Sequence, residues 1–319
     1  MKNDMLHDRP GRSLFLFALP MIIGNLFQQF YNMADTIIVG QCVGEDALAA
    51  VGASYSLTTV FIMVAIGGGI GASVLTSQYL GAGKYGKMKT SVYTALITFL
   101  VLSVLLAVFG RVCSPAILRA LNTPENIFAD AVLYLQIYFI GLPFLFMYNI
   151  LTSTFNALGE SRIPLYLLIF SSILNIGLDI FLIQKMHMGV AGAAAATVFA
   201  QGVSAVISFL ILMRRLKVYV SDEGDRINLY DTGMFLKGTR IAIPSIIQQS
   251  IVSIGMLLVQ SVVNGFGSSA LAGYSAGSRV ESICIVPMIT VGNAVSTFTA
   301  QNLGAKQPEM WECIWRPTW

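Results

Sequence analysis

Long apolar segments separated by short charged stretches dominate the pattern along this chain. Eight segments are almost free of Asp, Glu, Lys and Arg, and a helix needs about 20 such residues to cross the hydrocarbon layer of a membrane. The segments are roughly 14–39, 53–79, 90–110, 131–156, 163–184, 190–213, 241–264 and 281–301. Their polarity does not alternate as in a β-barrel strand, and backbone groups in lipid must be hydrogen-bonded internally, so we predict about eight transmembrane helices.

The composition agrees with a membrane protein. Hydrophobic residues make up 55% of the 319 residues and charged residues only 11%, whereas a soluble domain carries about 25% charged residues. The net charge of +3 is too small to indicate nucleic-acid binding. Four scattered cysteines and two histidines form no metal-binding or disulfide pattern. We therefore expect an all-α membrane protein, a monomer without a cofactor, whose partners are the lipid bilayer and small organic molecules.

Basic residues are divided unequally between the two sides of the predicted membrane. Fourteen Lys and Arg fall in the connections on one side and three in those on the other. Cytoplasmic loops carry this excess, so we predict a cytoplasmic N-terminus in the plasma (inner) membrane of a bacterium. The longest charged connection, 217–239, is the predicted cytoplasmic linker between a six-helix lobe at 1–216 and the two helices of 240–309.

An internal repeat divides the chain at the same place. The motifs recur in order, with Ala18-Leu19-Pro20 returning as Ala242-Ile243-Pro244 and Leu80-Gly81-Ala82 returning as Leu303-Gly304-Ala305. The offset is 224 residues for the first motif and 223 for the second. Six predicted helices fall within one offset, so the copies share one orientation, as in transporters whose repeats are related by an axis along the membrane normal. We expect the second lobe to be truncated and the Trp-rich tail Met310–Trp319 to be foreign to the fold.

Two acids lie inside predicted spans, where ionisable side chains mark pathways and sites. Asp35 falls in the outer half of the first span, and Asp179 reaches a similar depth in the fifth. Asn175 precedes Asp179 by one helical turn and shares its face, and Thr197 of the sixth span falls at the same depth. Oxygen atoms from these four side chains can bind a hard cation such as Na⁺, or one of the carboxylates can bind a proton.

Other polar residues are predicted to face a cavity. One stripe recurs along the first span at spacings of three and four residues, and the inner end of the fourth span is also polar. The candidate cavity-lining residues are Asn25, Gln28, Asn32, Tyr148, Asn149 and Gln249. Hydrogen bonding between helices explains Asn and Gln at such positions equally well. The seventh span has Val259 where the first has Asp35, so ion coupling is predicted in the N-terminal lobe.

Several of these motifs resemble the multidrug and toxic compound extrusion (MATE) transporters. The matching segments are Ala18-Leu19-Pro20, Gln78-Tyr79-Leu80-Gly81-Ala82, Gly141-Leu142-Pro143-Phe144 and Asn156-Ala157-Leu158-Gly159. An acid-bearing first helix with a non-acidic seventh is similar to the DinF-like branch. The resemblance implies a bundle of two six-helix repeats, here with a complete first lobe and two helices of the second. It also implies that Asp35 takes up the coupling proton, with Asn175, Asp179 and Thr197 in the same cation or proton site.

The residues and the resemblance together predict a secondary antiporter and not an enzyme. It would export organic, often cationic, drugs or toxic compounds in exchange for protons, or alternatively sodium, by alternating access. A lipid-linked saccharide flippase would favour a basic cavity, but the spans are nearly free of Lys and Arg. An intramembrane aspartyl protease would need YD and GxGD motifs, which Asp35 and Asp179 do not complete. An inactive fragment is the third alternative.

Overall fold

The computed structural model describes residues 5–6, 9–121, 123–220, 227–264 and 268–307. Eight long helices follow one another along these residues. They are α1 Pro10–Cys42, α2 Glu45–Gly81, α3 Tyr85–Ala120, α4 Glu125–Ala157, α5 Arg162–Asp179, α6 Gly189–Leu216, α7 Thr232–Asn264 and α8 Ser268–Gly304. A π-helical segment, Ile180–Lys185, continues α5. The tail Met310–Trp319 lies outside the described residues.

Seven predicted spans each fall within one longer helix, and the fifth, 163–184, falls within α5 and the π-helical segment that continues it. The predicted spans ended at charged residues, whereas α3 includes Lys87 and Lys89, because charged helix ends can continue beyond the hydrocarbon layer into water. In the described part of the chain, seven helices are long and apolar enough to cross a membrane. Several side chains of α7 lie outside that part, and α7 is not among the seven. The chain is an all-α, multi-pass membrane protein, as predicted.

The seventh helix begins earlier than the sequence pattern indicated. α7 starts at Thr232, inside the predicted linker 217–239. The Asp231 carboxylate accepts a hydrogen bond from the backbone N–H of Met234 at 2.7 Å, which caps the first turn of the helix. The preceding backbone is held against α3, because Thr94 Oγ1 accepts a hydrogen bond from Asp231 N at 3.1 Å. The linker is therefore shorter than its charge pattern suggested.

The core of the first lobe lies where α4 packs against α2, α3 and α6. Its centre is aromatic: Phe61 of α2 meets Phe139 of α4 edge to face, with ring centroids 5.0 Å apart, and both side chains are buried. α3 approaches the same ring through Gly110, where an added Cβ would overlap Phe139. These apolar contacts hold α4 in the middle of the lobe.

The ends of α2 and α8 meet in a reciprocal contact. A Cβ added at Gly81 would overlap the carbonyl oxygen of Gln301, and one added at Gly304 would overlap the carbonyl oxygen of Gln78. The two pairs exchange under the 223-residue offset of the sequence repeat, which is the relationship that a local two-fold axis produces. We call this side of the molecule the basic end; it includes the α2–α3 turn, the α4–α5 turn and the C-terminal end of α8.

Candidate functional site

A buried polar cluster joins α1, α5 and α6 inside the first lobe. Asn175 and Asp179 of α5 are 1% and 0% exposed. With its amide oriented to satisfy its neighbours, Asn175 Nδ2 donates to Asp179 Oδ2 at 2.8 Å and to the phenolic oxygen of Tyr31 at 3.2 Å. Asn175 Oδ1 accepts a hydrogen bond from the backbone N–H of Thr197 at 3.1 Å. One amide therefore connects three helices to an acid that is shielded from solvent.

Local sequence explains how α5 and α6 come this close. α6 opens with small residues, and a Cβ added at Gly192 would lie 3.3 Å from the Cβ of Leu182. Close approach of small residues allows side chains to form hydrogen bonds across a helix pair in a membrane. The π-helical segment Ile180–Lys185 starts directly after Asp179. Such segments are rare in proteins, but those that occur are often found at functional sites. The wider turn changes which side chains share a face of the helix.

A small cavity adjoins the cluster. Its volume, measured as the space that the centre of a water molecule can occupy, is about 30 Å³. The cavity is lined by Gln28, Tyr31, Tyr148, Leu168, Ser171, Asn175, Thr197, Ala200, Gln201 and Ser204. One water needs about 10–15 Å³ of such space, so the cavity has room for about two water molecules. In this conformation it fits water or a small cation, and it is far smaller than an organic drug.

The structure brings some of the predicted site residues together at this cavity. Asn175 and Thr197 line it, as do Gln28 and Tyr148 from the predicted cavity set. Asp179 is joined to it through the amide of Asn175. Position 35 is helical within α1, but the side chain of Asp35 lies outside the described residues. Its predicted contact with Asp179 therefore stays a prediction.

The other predicted cavity residues lie elsewhere. Asn25 Nδ2 donates to Thr290 Oγ1 of α8 at 2.8 Å, which makes it a contact between the two repeats. Asn149 Nδ2 donates to the carbonyl oxygen of Leu145 in its own helix at 2.9 Å. Asn32 is exposed on α1, and Gln249 is half-buried on α7.

Four polar residues of this site were absent from the sequence prediction: Tyr31, Ser171, Gln201 and Ser204. A signal for two of them was present, because Gln201 and Ser204 follow Thr197 by four and seven residues and share its face of the helix. Tyr31 precedes Asp35 by four residues in α1. An aromatic residue in an apolar span looks like a packing residue, so only its contact with Asn175 identifies its role.

The chemistry of this donor set is that of hard oxygen ligands. The cluster contains a carboxylate, an amide, a phenol and a threonine hydroxyl, and Thr197 Oγ1 itself donates to the carbonyl oxygen of Ala193 at 3.1 Å. Such groups suit a proton or a hard cation such as Na⁺, whereas soft metal ions prefer thiolate and thioether ligands. Among the described residues, no three His, Cys, Asp or Glu side chains are grouped as metal ligands.

Comparison with known proteins identifies relatives over nearly the whole chain. The family model MatE matches twice, at residues 20–181 and 244–319. The two matches begin at Pro20 and Pro244, which the sequence repeat relates, and the second includes the Met310–Trp319 tail. The probable multidrug resistance protein YoeA of Bacillus subtilis is 34% identical over 93% of this chain, and the FAD transporter of Shewanella oneidensis is 27% identical over 97%.

Solved structures share the same fold. A crystal structure of MATE in the straight conformation is 25% identical, with a TM-score of 0.89 over 98% of this chain and 69% of that one. The outward-facing conformation of a multidrug resistance MATE family transporter is also 25% identical, with a TM-score of 0.89 over 98% of this chain and 69% of that one. The chain spans 65% of the length of YoeA and 68% of that of the FAD transporter.

Proposed function

This chain belongs to the MATE family, whose members are transporters and not enzymes, and from that premise we propose that it exports organic, often cationic, compounds in exchange for protons. Relatives named as multidrug resistance or multidrug export proteins support the substrate class. The observation that carries the coupling proposal is the fully buried Asp179, held by Asn175 beside Tyr31 of α1. An ionisable group in such a place is a functional group by default.

In the proposed mechanism, the state of the acids controls the position of α1. As a carboxylate, Asp179 accepts the hydrogen bond from Asn175, and the same amide group binds Tyr31. A proton on the accepting oxygen would break that bond, and the amide would then be free to turn and weaken its second bond, to Tyr31. Asp35 follows Tyr31 by four residues, so protonation of Asp35 and rearrangement of Tyr31 would affect the same part of α1. We propose that Asp35 binds the coupling proton and that Asp179 and Asn175 transmit the change to α5 and α6.

Alternating access then requires that the inward-facing and outward-facing states bind the proton with different affinities. A ligand can shift a conformational equilibrium only by the difference in its affinity for the two states. Protonation from the outside would favour release of the organic compound, and loss of the proton to the cytoplasm would restore the state that binds it. The predicted cytoplasmic N-terminus makes the basic end the cytoplasmic side. Sodium is the alternative coupling ion, because the same oxygen atoms can coordinate it.

The experiment is dye export from everted membrane vesicles containing the protein, with ethidium as the probe and FAD as an anionic comparison. A pH gradient and a sodium gradient are imposed in separate arms. We expect the pH gradient to drive ethidium transport, and Asp35→Asn and Asp179→Asn to reduce it by about 100-fold or more, as expected when a coupling acid is removed. Asp130→Asn, an acid of α4 outside the cluster, is the control. Full activity of Asp35→Asn would refute the coupling assignment.

A further inference from the structure

Ser204 of α6 has a buried hydroxyl group that lines the small cavity beside the Asn175–Asp179 cluster. The side chain is 0% exposed and lines the cavity with Tyr148 and Gln201. Within the described part of the chain, Ser204 Oγ has no hydrogen-bond partner. Buried hydroxyl groups are nearly always hydrogen-bonded, to protein or to ordered water, so a ligand for this oxygen is expected in the cavity.

The cavity meets the requirements of a water site. Its volume of about 30 Å³ has room for about two waters, each of which needs two to four polar partners. Ser204, Gln201 and Tyr148 provide partners on one part of its wall, and Asn175 and Thr197 provide them on another. A water bound there would therefore connect Ser204 with the amide that holds Asp179.

Ser204 and two further buried oxygen atoms lie between the acid cluster and the basic end. Ser204 lies seven residues beyond Thr197 in α6, which is roughly 10 Å nearer the basic end along the helix axis. On α5, Ser172 is 1% exposed, and its hydroxyl also has no partner among the described residues. On α4, Asn156 lies near the basic end, and its buried Oδ1 likewise has no hydrogen-bond partner among the described residues. These oxygen atoms belong to helices of the first lobe and lie on the basic-end side of the Asn175–Asp179 cluster.

Helix ends from the two repeats are in contact at the basic end. The backbones of α2 and α8 touch there at Gly81 and Gly304. The carbonyl oxygen of Ala157 in α4 also accepts a hydrogen bond from Gln301 Nε2 at 2.7 Å. A proton route inside the first lobe would not require these contacts to separate.

We propose that the cavity around Ser204 is a water-binding site that relays the coupling proton between the Asn175–Asp179 cluster and the basic end. The Ser204 hydroxyl accepts a hydrogen bond from one water and donates one to the next. When a proton passes, the Ser204 oxygen gains a proton from the first water as its own hydroxyl proton moves to the next water, so one O–H bond forms, one breaks and the serine stays neutral. This inference rests on the proposed proton coupling, and it assigns the route of the proton to residues outside the acid cluster.

The test compares Ser204→Val with Ser204→Thr. Valine and threonine have nearly the same shape, so both variants change the packing of α6 equally, and only threonine keeps the hydroxyl. We expect Ser204→Val to slow ethidium export driven by a pH gradient by about tenfold or more, because a hydrogen-bonded relay group is lost. We expect Ser204→Thr to stay within about threefold of the wild type, and ethidium binding affinity to be unchanged in both.

A second measurement reports the water directly. In radiolytic footprinting, hydroxyl radicals formed from a bound water label the side chain beside it, so Tyr148 should be labelled in the wild type and in Ser204→Thr. Its labelling should fall about threefold or more in Ser204→Val, where one anchor of the water is missing. Equal export rates for the two variants, or equal labelling of Tyr148, would overturn the relay. Absence of proton-driven export in the wild type would instead refute the proposed function, and the labelling result would still test the water site.

Discussion

Gly81 of α2 touches the carbonyl oxygen of Gln301 in α8, and Gly304 of α8 touches the carbonyl oxygen of Gln78 in α2 in the same way. The side chain of Gln301 also bonds the carbonyl oxygen of Ala157, which accepts a second hydrogen bond from Ser77 at 3.3 Å. Helix ends from both repeats are thereby held together at the basic end. Any conformation that opens this side must separate these contacts. Substitutions at these contacts should therefore shift the equilibrium between the closed and open states of the basic end.

Gly304→Ala should favour opening of the basic end. The added Cβ overlaps the carbonyl oxygen of Gln78. Overpacking of this kind destabilises a state by about 1–3 kcal/mol, or about 5- to 160-fold in the equilibrium. The reporter is Ala294→Cys, at a buried position that packs with Phe17 and Phe298 between α1 and α8, in a variant without the four native cysteines. Its labelling by an impermeant maleimide from the basic end should accelerate.

The matched control for that experiment lies in the same helix. A Cβ added at Gly292 meets nothing within 4 Å, so Gly292→Ala should leave the labelling rate of Ala294→Cys unchanged. Equal acceleration by both alanine variants would mean that helix propensity, and not the contact with Gln78, controls the reporter.

Asn175→Ala should abolish proton-linked transport, whereas Asn149→Ala should not. Removal of the Asn175 amide leaves Asp179 Oδ2 without its 2.8 Å donor and separates Tyr31 from α5. A group that orients a coupling acid contributes about 10²-fold or more. The Asn149 amide bonds only within its own helix in the contacts described above. Initial rates of ethidium export at equal protein abundance distinguish the two, and similar losses in both would place the function outside the cluster.

The hydrogen bond from Asn25 to Thr290 should couple the two repeats energetically. Asn25 Nδ2 lies 2.8 Å from Thr290 Oγ1, and the Thr290 hydroxyl donates in turn to the carbonyl oxygen of Val286 at 2.7 Å. A double-mutant cycle with Asn25→Ala and Thr290→Val, read from unfolding in detergent, should give a coupling energy of about 0.5–1.5 kcal/mol. Additive effects of the two substitutions would show that the bond contributes nothing to stability.

Alkaline pH should destabilise the region where α6 leaves the bundle. Burial raises the pKa of the Tyr219 phenol, and the charge of Glu160 raises it further. The folded state then keeps a proton that the unfolded state has lost, so this contribution to stability is complete below the unfolded pKa and declines as pH rises through the folded pKa. Tyr219→Phe should reduce the fall in melting temperature above about pH 10. An unchanged pH profile would contradict this assignment.

The order and approximate position of the helices follow from local properties of the chain. Hydrocarbon thickness and backbone hydrogen bonding require about 20 apolar residues in a helix, so eight segments could be recognised without knowing how they pack. The repeat was likewise readable, because motifs such as Ala18-Leu19-Pro20 return at one offset. Helix ends were less well predicted, since an unbonded first turn can be capped by a single side chain, as Asp231 does for α7.

The identity of the residues that share a cavity was decided by tertiary structure. Asn25 and Gln28 belong to one polar stripe in the sequence. Asn25 forms a hydrogen bond with α8, whereas Gln28 lines the small cavity beside the Asn175–Asp179 cluster. Periodicity defines a face within one helix, but the rotation and crossing of neighbouring helices determine what that face meets. Ser204 became part of the site only because α1, α4 and α5 approach α6 there. Gly81 became part of the closed basic end only because α8 approaches α2 from a distant part of the chain.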